Sequence, residues 1–154
     1  VPASCRLGAD GAGVETVVHD VLPWFMVLGA SVALGLMEGA IAAALQHLAG
    51  QERAGTRADL ARMRLRTDSV RVLHDDAVAA LGWEPERARR KTCQLTLAAA
   101  DAVVTVTDLA MKVCGDAAFK RDLGIERRFR DARAATAIEP TVESVLELAG
   151  RTMR

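Results

Sequence analysis

VETVVHDVLPWFMVLGASVALGLMEGAIAAALQHL, residues 14–48, is the stretch on which the fold turns. It reads as one long apolar helix. From Val21 through Met37 there is no charged side chain for 17 residues, the lower edge of what spans a bilayer. Glu38, the glycines at 29, 35 and 39 and the singleness of the segment favour a buried bundle helix over a membrane span. Pro23 lies inside it, has no N–H and clashes with the preceding turn, so a kink or break is predicted near Asp20. Gly29, Ala30, Ser31, Ala33 and Gly35 are small enough to let a neighbouring helix or a flat ligand come close.

The rest of the chain supplies partners for such a helix. Residues 50–55 (GQERAG) are a connection, and a second helix is predicted over 56–81, with Leu60, Met63, Val70, Leu73, Ala77 and Ala80 at helical spacing. Its arginines (Arg57, Arg62, Arg64, Arg66, Arg71) fall mainly on other faces, interleaved with Asp59, Asp68, Asp75 and Asp76. That mixture predicts a solvated, salt-bridged face rather than a nucleic-acid stripe. Pro85 suits the first turn of a third helix that runs to about Cys114, where Gly115 closes it. A short segment at 120–124 leads to a fourth helix over 125–137. Pro140 stops it, and Thr141 is placed to cap a last helix over 142–152. Long helices on short loops predict an all-α antiparallel bundle of about five helices.

Composition agrees. At 154 residues the chain suits one domain, and 51% hydrophobic residues with 3% aromatics and no tyrosine disfavour sandwiches and barrels. The formal charge is zero, so no field steers the chain to nucleic acid. Cys5, Cys93 and Cys114 are an odd, widely spaced set without a CxxC pair, which predicts a reducing, cytoplasmic setting. His19, His47 and His74 are too scattered for a metal site. The start at Val1 rather than methionine predicts a fragment or a processed product.

Chemistry is harder to see. Gly8, Gly11 and Gly13 are spaced G-x-x-G-x-G, not as a dinucleotide fingerprint, and read as a flexible turn. Glu139, between Ile138 and Pro140, stands at a helix break among apolar neighbours. Partial desolvation there raises a carboxyl's pKa and suits it to act as a base. On spacing alone the plainer reading leads, an anion near the positive end of the last helix.

The stretch CGDAAFKRDLGIERRFRDARAATAIEPTVESVLELAGR, residues 114–151, resembles the C-terminal helical domain of the acyl-CoA dehydrogenases. Glu126, the tetrad Arg130-Asp131-Ala132-Arg133 and the turn Ile138-Glu139-Pro140-Thr141 match the family's Glu, its R-D-A-[RK] and its I-x-E-G-T-like turn. The resemblance implies that residues 1–13 are the exit from a middle β-domain and that 14–154 form the C-terminal bundle. It implies FAD, a homodimer or homotetramer, an acyl-CoA or acyl-carrier thioester substrate and an electron-accepting flavoprotein. It further implies that Glu139 removes the α-proton while hydride passes from the β-carbon to the flavin. Some members place the base on the first helix, but the corresponding residue here is Phe25. The same resemblance puts Thr141, Gly115, Lys112 and Gly55 at the cofactor. It implies that the isolated 154 residues are inactive.

Several positions depart from the family pattern. Pro140 replaces a glycine, Asp116 and Ala118 stand where the loop has two more glycines, and Lys112 stands where a glutamine is usual. The R-x-x-F-G motif is reduced to Gln51-Glu52-Arg53-Ala54-Gly55. Three alternatives follow: a flavin-dependent monooxygenase on the same scaffold, a helical assembly subunit that has lost flavin binding, and a nucleic-acid module that rests on the arginine count alone.

Overall fold

The computed structural model describes residues 5, 8–9, 11–50, 54–138 and 140–152. All regular elements among them are helical. In chain order these are α1 (Gly13–Thr16), α2 (Leu22–Leu48), α3 (Ala54–Ala80), α4 (Pro85–Cys114), α5 (Ile125–Thr136) and α6 (Val142–Thr152). The five long helices form the expected bundle.

Their ends follow from local chemistry. Pro23 cannot donate to the carbonyl four residues back, and the chain answers with a π-helical turn, Val17–Val21, closed by the N–H of Leu22 on the Val17 carbonyl. The break expected near Asp20 is therefore a widened turn that joins α1 to α2 without interrupting the helix. Pro85 opens α4 behind an extended Glu84. Gly115 ends it at φ +56°, a conformation that L side chains resist, with its N–H on the Met111 carbonyl. Beyond Gly115 the chain tightens into a 3-10 turn, Gly115–Phe119, before α5. At α6 the N–H of Ser144 donates to Thr141 Oγ1 at 3.3 Å, the cap predicted from the threonine's position.

Short links make α2, α3 and α4 successive antiparallel neighbours, and α4 packs against both of the others. The shared core is rich in alanine: Ala30, Ala33, Ala40 and Ala44 on α2, and Ala99, Ala102 and Ala110 on α4, with Met37, Ile41, Leu95 and Val106 filling between. Small side chains let the helix axes approach closely. The α1–α2 run, Gly13–Leu48, is long and apolar enough by length and composition to cross a membrane. In this fold Val27, Ala30, Leu34, Met37, Ile41 and Ala44 of that run face the bundle core, while Leu28 and Val32 are exposed.

α5 lies across α2 and α4. The Arg128 guanidinium donates to the carbonyls of Leu123 and Gly124 at 3.3 and 2.9 Å and covers Gly39 of α2. A Cβ on Gly39 would sit 2.6 Å from Arg128 Nε, so the glycine permits this close crossing.

Met37 is fully buried and Leu65 is 67% exposed. Met37→Ala should lower unfolding free energy by about 2–5 kcal/mol, and Leu65→Ala should change it by no more than about 0.5 kcal/mol. Chemical denaturation of the two variants checks both.

Candidate functional site

The first half of α2 and the middle of α4 line a cavity of about 310 Å³. Gly29, Ala30 and Ala33 form one wall, and Ala99, Ala100 and Val103 the other. Phe25, Leu28 and Val32 stand at its open side, each about half exposed. Two threonines reach it without making it polar. The Thr96 hydroxyl donates to the Thr92 carbonyl and the Thr136 hydroxyl to the Arg133 carbonyl, both at 2.9 Å, so each satisfies its hydrogen-bonding need on its own helix. The lining is hydrocarbon.

The floor of the cavity comes from the end of α5 and the turn after it: Ala135, Thr136, Ile138 and Pro140. Glu139 lies outside the described residues, but both of its chain neighbours line the cavity. The signature upstream holds this turn in place. Arg130 pairs with Glu126 at 2.6 Å, Asp131 faces Arg127 at 3.7 Å, and Ala132 is fully buried. Arg133 reaches Asp108 of α4 at 2.6 Å and lies 3.6 Å over the Phe129 ring. Of the tetrad, Arg133 ties α5 to α4, while Arg130 and Asp131 pair along α5 itself.

At the far end of the bundle, Asp59 near the start of α3 is buried and accepts hydrogen bonds from Lys112 of α4 at 2.8 Å and Arg62 at 2.6 Å. The Lys112 ammonium, with Arg62 beside it, holds the Asp59 carboxyl below the usual carboxylate range against the opposing effect of burial. Gly55 and Gly115 lie near this corner, and a Cβ on either would meet nothing within 4 Å, so a ligand could approach their backbones. Residues 51–53, which carry the remnant of R-x-x-F-G, lie outside the described residues. Thr141 is elsewhere. α6 packs beside Met26 and Cys93 through Val145, and Cys93 is about 28 Å along α4 from Lys112 at helical rise. The residues expected at the cofactor therefore fall into two groups at opposite ends of the domain.

A family model described as "Acyl-CoA dehydrogenase, C-terminal domain" matches residues 11–153. The chain belongs to the acyl-CoA dehydrogenase family. It is 27% identical over 151 residues to the short-chain specific acyl-CoA dehydrogenase, mitochondrial, of Bos taurus, covering 93% of this chain and 36% of that protein. Butyryl-CoA dehydrogenase from Megasphaera elsdenii superposes with a TM-score of 0.88 at 24% identity, over 99% of this chain and 42% of that one. A structure of PigA with FAD and proline gives 0.85 at 19% identity, again over 99% and 42%. The acyl-CoA dehydrogenase domain thus spans about two-fifths of the length of these proteins.

The residues of this acyl-CoA dehydrogenase domain suit a flavin unevenly. Gly55 and Gly115 leave their backbones open to a nucleotide. The positive charge of Lys112 is already met by Asp59, and the Thr141 oxygen serves the α6 cap.

Some functional features were not foreseen. Asp59, expected on a solvated face, is buried; its partner Lys112 is more than fifty positions away, and only the i+3 arginine marked it locally. Arg66 and Arg71 do form exposed ion pairs, but with Asp101 of α4 and Glu38 of α2 rather than with the aspartates interleaved on α3. Ser31 donates to the Val27 carbonyl and therefore receives the Nε2–H of His74 at 2.8 Å, a polar tie between α2 and α3. Burial pushes the Cys93 and Cys114 thiols up, which makes both poor nucleophiles.

Asp59 sits below its unfolded value of 3.8, so the stability it contributes is complete above that value and is lost as pH falls through the depressed one. Thermal melts from about pH 5 down to about pH 2 should show Tm falling, and Asp59→Asn should flatten that fall while lowering Tm at neutral pH.

Proposed function

We propose that this domain forms part of the acyl site of a flavin-dependent dehydrogenase that introduces an α,β-double bond into an acyl-CoA or acyl-carrier thioester. The observation that carries the reading is the position of Ile138 and Pro140, the two neighbours of Glu139, on the wall of the apolar cavity. An acyl chain lying between α2 and α4 would bring its α-carbon to the Ile138–Pro140 turn. Glu139 then takes the α-proton, the C–H electrons form the α,β-double bond, and the β-carbon gives up hydride. FAD, when bound, supplies the acceptor for that hydride. The largely hydrocarbon lining suits the cavity to the alkyl part of such a thioester.

The separation of Thr141 from Gly55, Lys112 and Gly115 supports an oligomer. A single flavin would meet the Thr141 end of one copy and the Gly115 end of another, as a homodimer or homotetramer allows. A separate electron-accepting flavoprotein would reoxidise it, and a cytoplasmic location fits the buried free thiols. A non-catalytic assembly subunit is favoured by one observation: Lys112 is paired with Asp59, and Asp116 adds an exposed negative charge one residue beyond Gly115.

In the protein made from its complete reading frame, Glu139→Gln should reduce acyl-CoA dehydrogenation on the order of 10²–10⁴-fold, the usual contribution of a positioned base. Flavin content should stay unchanged. Full activity in that variant removes Glu139 as the base, and a flavin-free wild-type protein that takes up no added FAD favours the assembly subunit.

A further inference from the structure

The outward face of α3 carries a pattern that the rest of the chain does not use. The inner side of this helix supplies Met63, Thr67, Val70 and Ala77 to the interior. On the opposite side Leu65 and Val72, two turns apart, are 67% and 68% exposed, and Ala61 and Ala79 are exposed on the same line. Beside that line runs a second one, Arg64, Asp68, Arg71 and Asp75, all exposed. At about 100° per residue these four fall within about 60° of arc. Their charges alternate in sign, and reading them in reverse order inverts every sign.

The chain leaves this charge pattern largely unanswered. Arg64 and Asp68 are one turn apart, yet neither forms an ion pair among the described residues. Arg71 meets Glu38 of α2 and stays about half exposed, and Asp75 touches the ring of His74 at 3.5 Å. A second copy answers the pattern in one direction only. A two-fold axis across two facing helices makes them antiparallel and keeps each flank on its own side. With the axis at the level of Ser69 and Val70, Arg64 stands opposite the partner's Asp75, and Asp68 opposite the partner's Arg71. Each pair occurs twice, and Leu65 comes against the partner's Val72. Parallel pairing would instead set arginine on arginine and aspartate on aspartate, which like charges oppose.

We propose that α3 is the seam of a two-fold dimer, with Leu65 and Val72 as its apolar contact and Arg64, Asp68, Arg71 and Asp75 fixing the antiparallel register. The pairing stands without the dehydrogenase reading. It also has a consequence for that reading. α3 begins at the corner that holds Gly55, Lys112 and Gly115 and ends beside the start of α4, the end of the domain where Thr141 lies. Antiparallel pairing brings that corner of one copy to the Thr141 end of the other, the meeting that a shared flavin needs.

The test is sedimentation equilibrium over a dilution series of the protein made from its complete reading frame, in wild type, Arg64→Asp, Asp75→Arg and the double variant. Each single reversal sets like charges across the seam twice and should raise the dissociation constant of the dimer step at least about tenfold. The double variant exchanges the signs and should return that constant to within about threefold of wild type, a rescue that a folding defect cannot imitate. Leu65→Ala should weaken the pair as well, while the unfolding free energy of the dissociated domain stays unchanged because the side chain lies outside the core. A monomeric wild type, single variants that assemble as the wild type does, or a double variant no better than the singles overturns the proposal. A dimer that responds as described in a protein without flavin upholds the pairing and removes the shared flavin.

Discussion

Everything in this domain depends on the close contact of α2 and α4. Alanine stripes on both helices, Ala33, Ala40 and Ala44 on one and Ala99, Ala102 and Ala110 on the other, enter one continuous core. Where larger side chains such as Met37, Ile41 and Val106 fill the seam, the bundle is solid. Beside Ala30 and Ala33 of α2 and Ala99 and Ala100 of α4, between the filled positions at Leu95 and Val106, the side chains are small and the edge of the seam opens into the cavity. Core and candidate site share one interface.

The charged signature of α5 acts through position rather than chemistry. Its charged members are occupied with one another or with α4: Arg130 with Glu126, Asp131 with Arg127, Arg133 with Asp108 and the Phe129 face. Exposed pairs of this kind contribute little stability singly; of these, Arg133–Asp108 leaves α5 and ties the end of that helix to α4. Ile138 and Pro140, just beyond it, lie on the cavity wall. Pro140 in turn restricts the residue before it to extended conformations, which narrows where the proposed base can point. The opposite corner sets the single Asp59 carboxylate between two cations, Lys112 and Arg62.

How much of this could be read beforehand depends on whether the signal is local. The ends of α4 were legible at Pro85 and Gly115, and the start of α6 at Thr141, because a missing N–H, a positive φ and a capping hydroxyl belong to single residues. The widened turn before Pro23 was visible as a disturbance though not as a π turn, since the choice between kinking and widening depends on what the helix packs against. Burial of Asp59 and the Ser31–His74 tie were not legible, because each depends on a partner dozens of positions away. The cavity was hinted at by Gly29, Ala30 and Ala33, but its second wall was silent. Alanine says only that a side chain is small, and Ala99 and Ala100 look the same in a packed seam and in an open one.

The central claim is that this domain shapes an acyl site serving a flavin. The most direct measurement is the visible flavin spectrum of the protein made from its complete reading frame, recorded without oxygen before and after acyl-CoA thioesters are added. The account predicts a yellow protein whose flavin band bleaches as a thioester is oxidised. A folded, colourless protein that takes up no added FAD, or a flavin band unmoved by short, long and branched acyl-CoA thioesters alike, would contradict it.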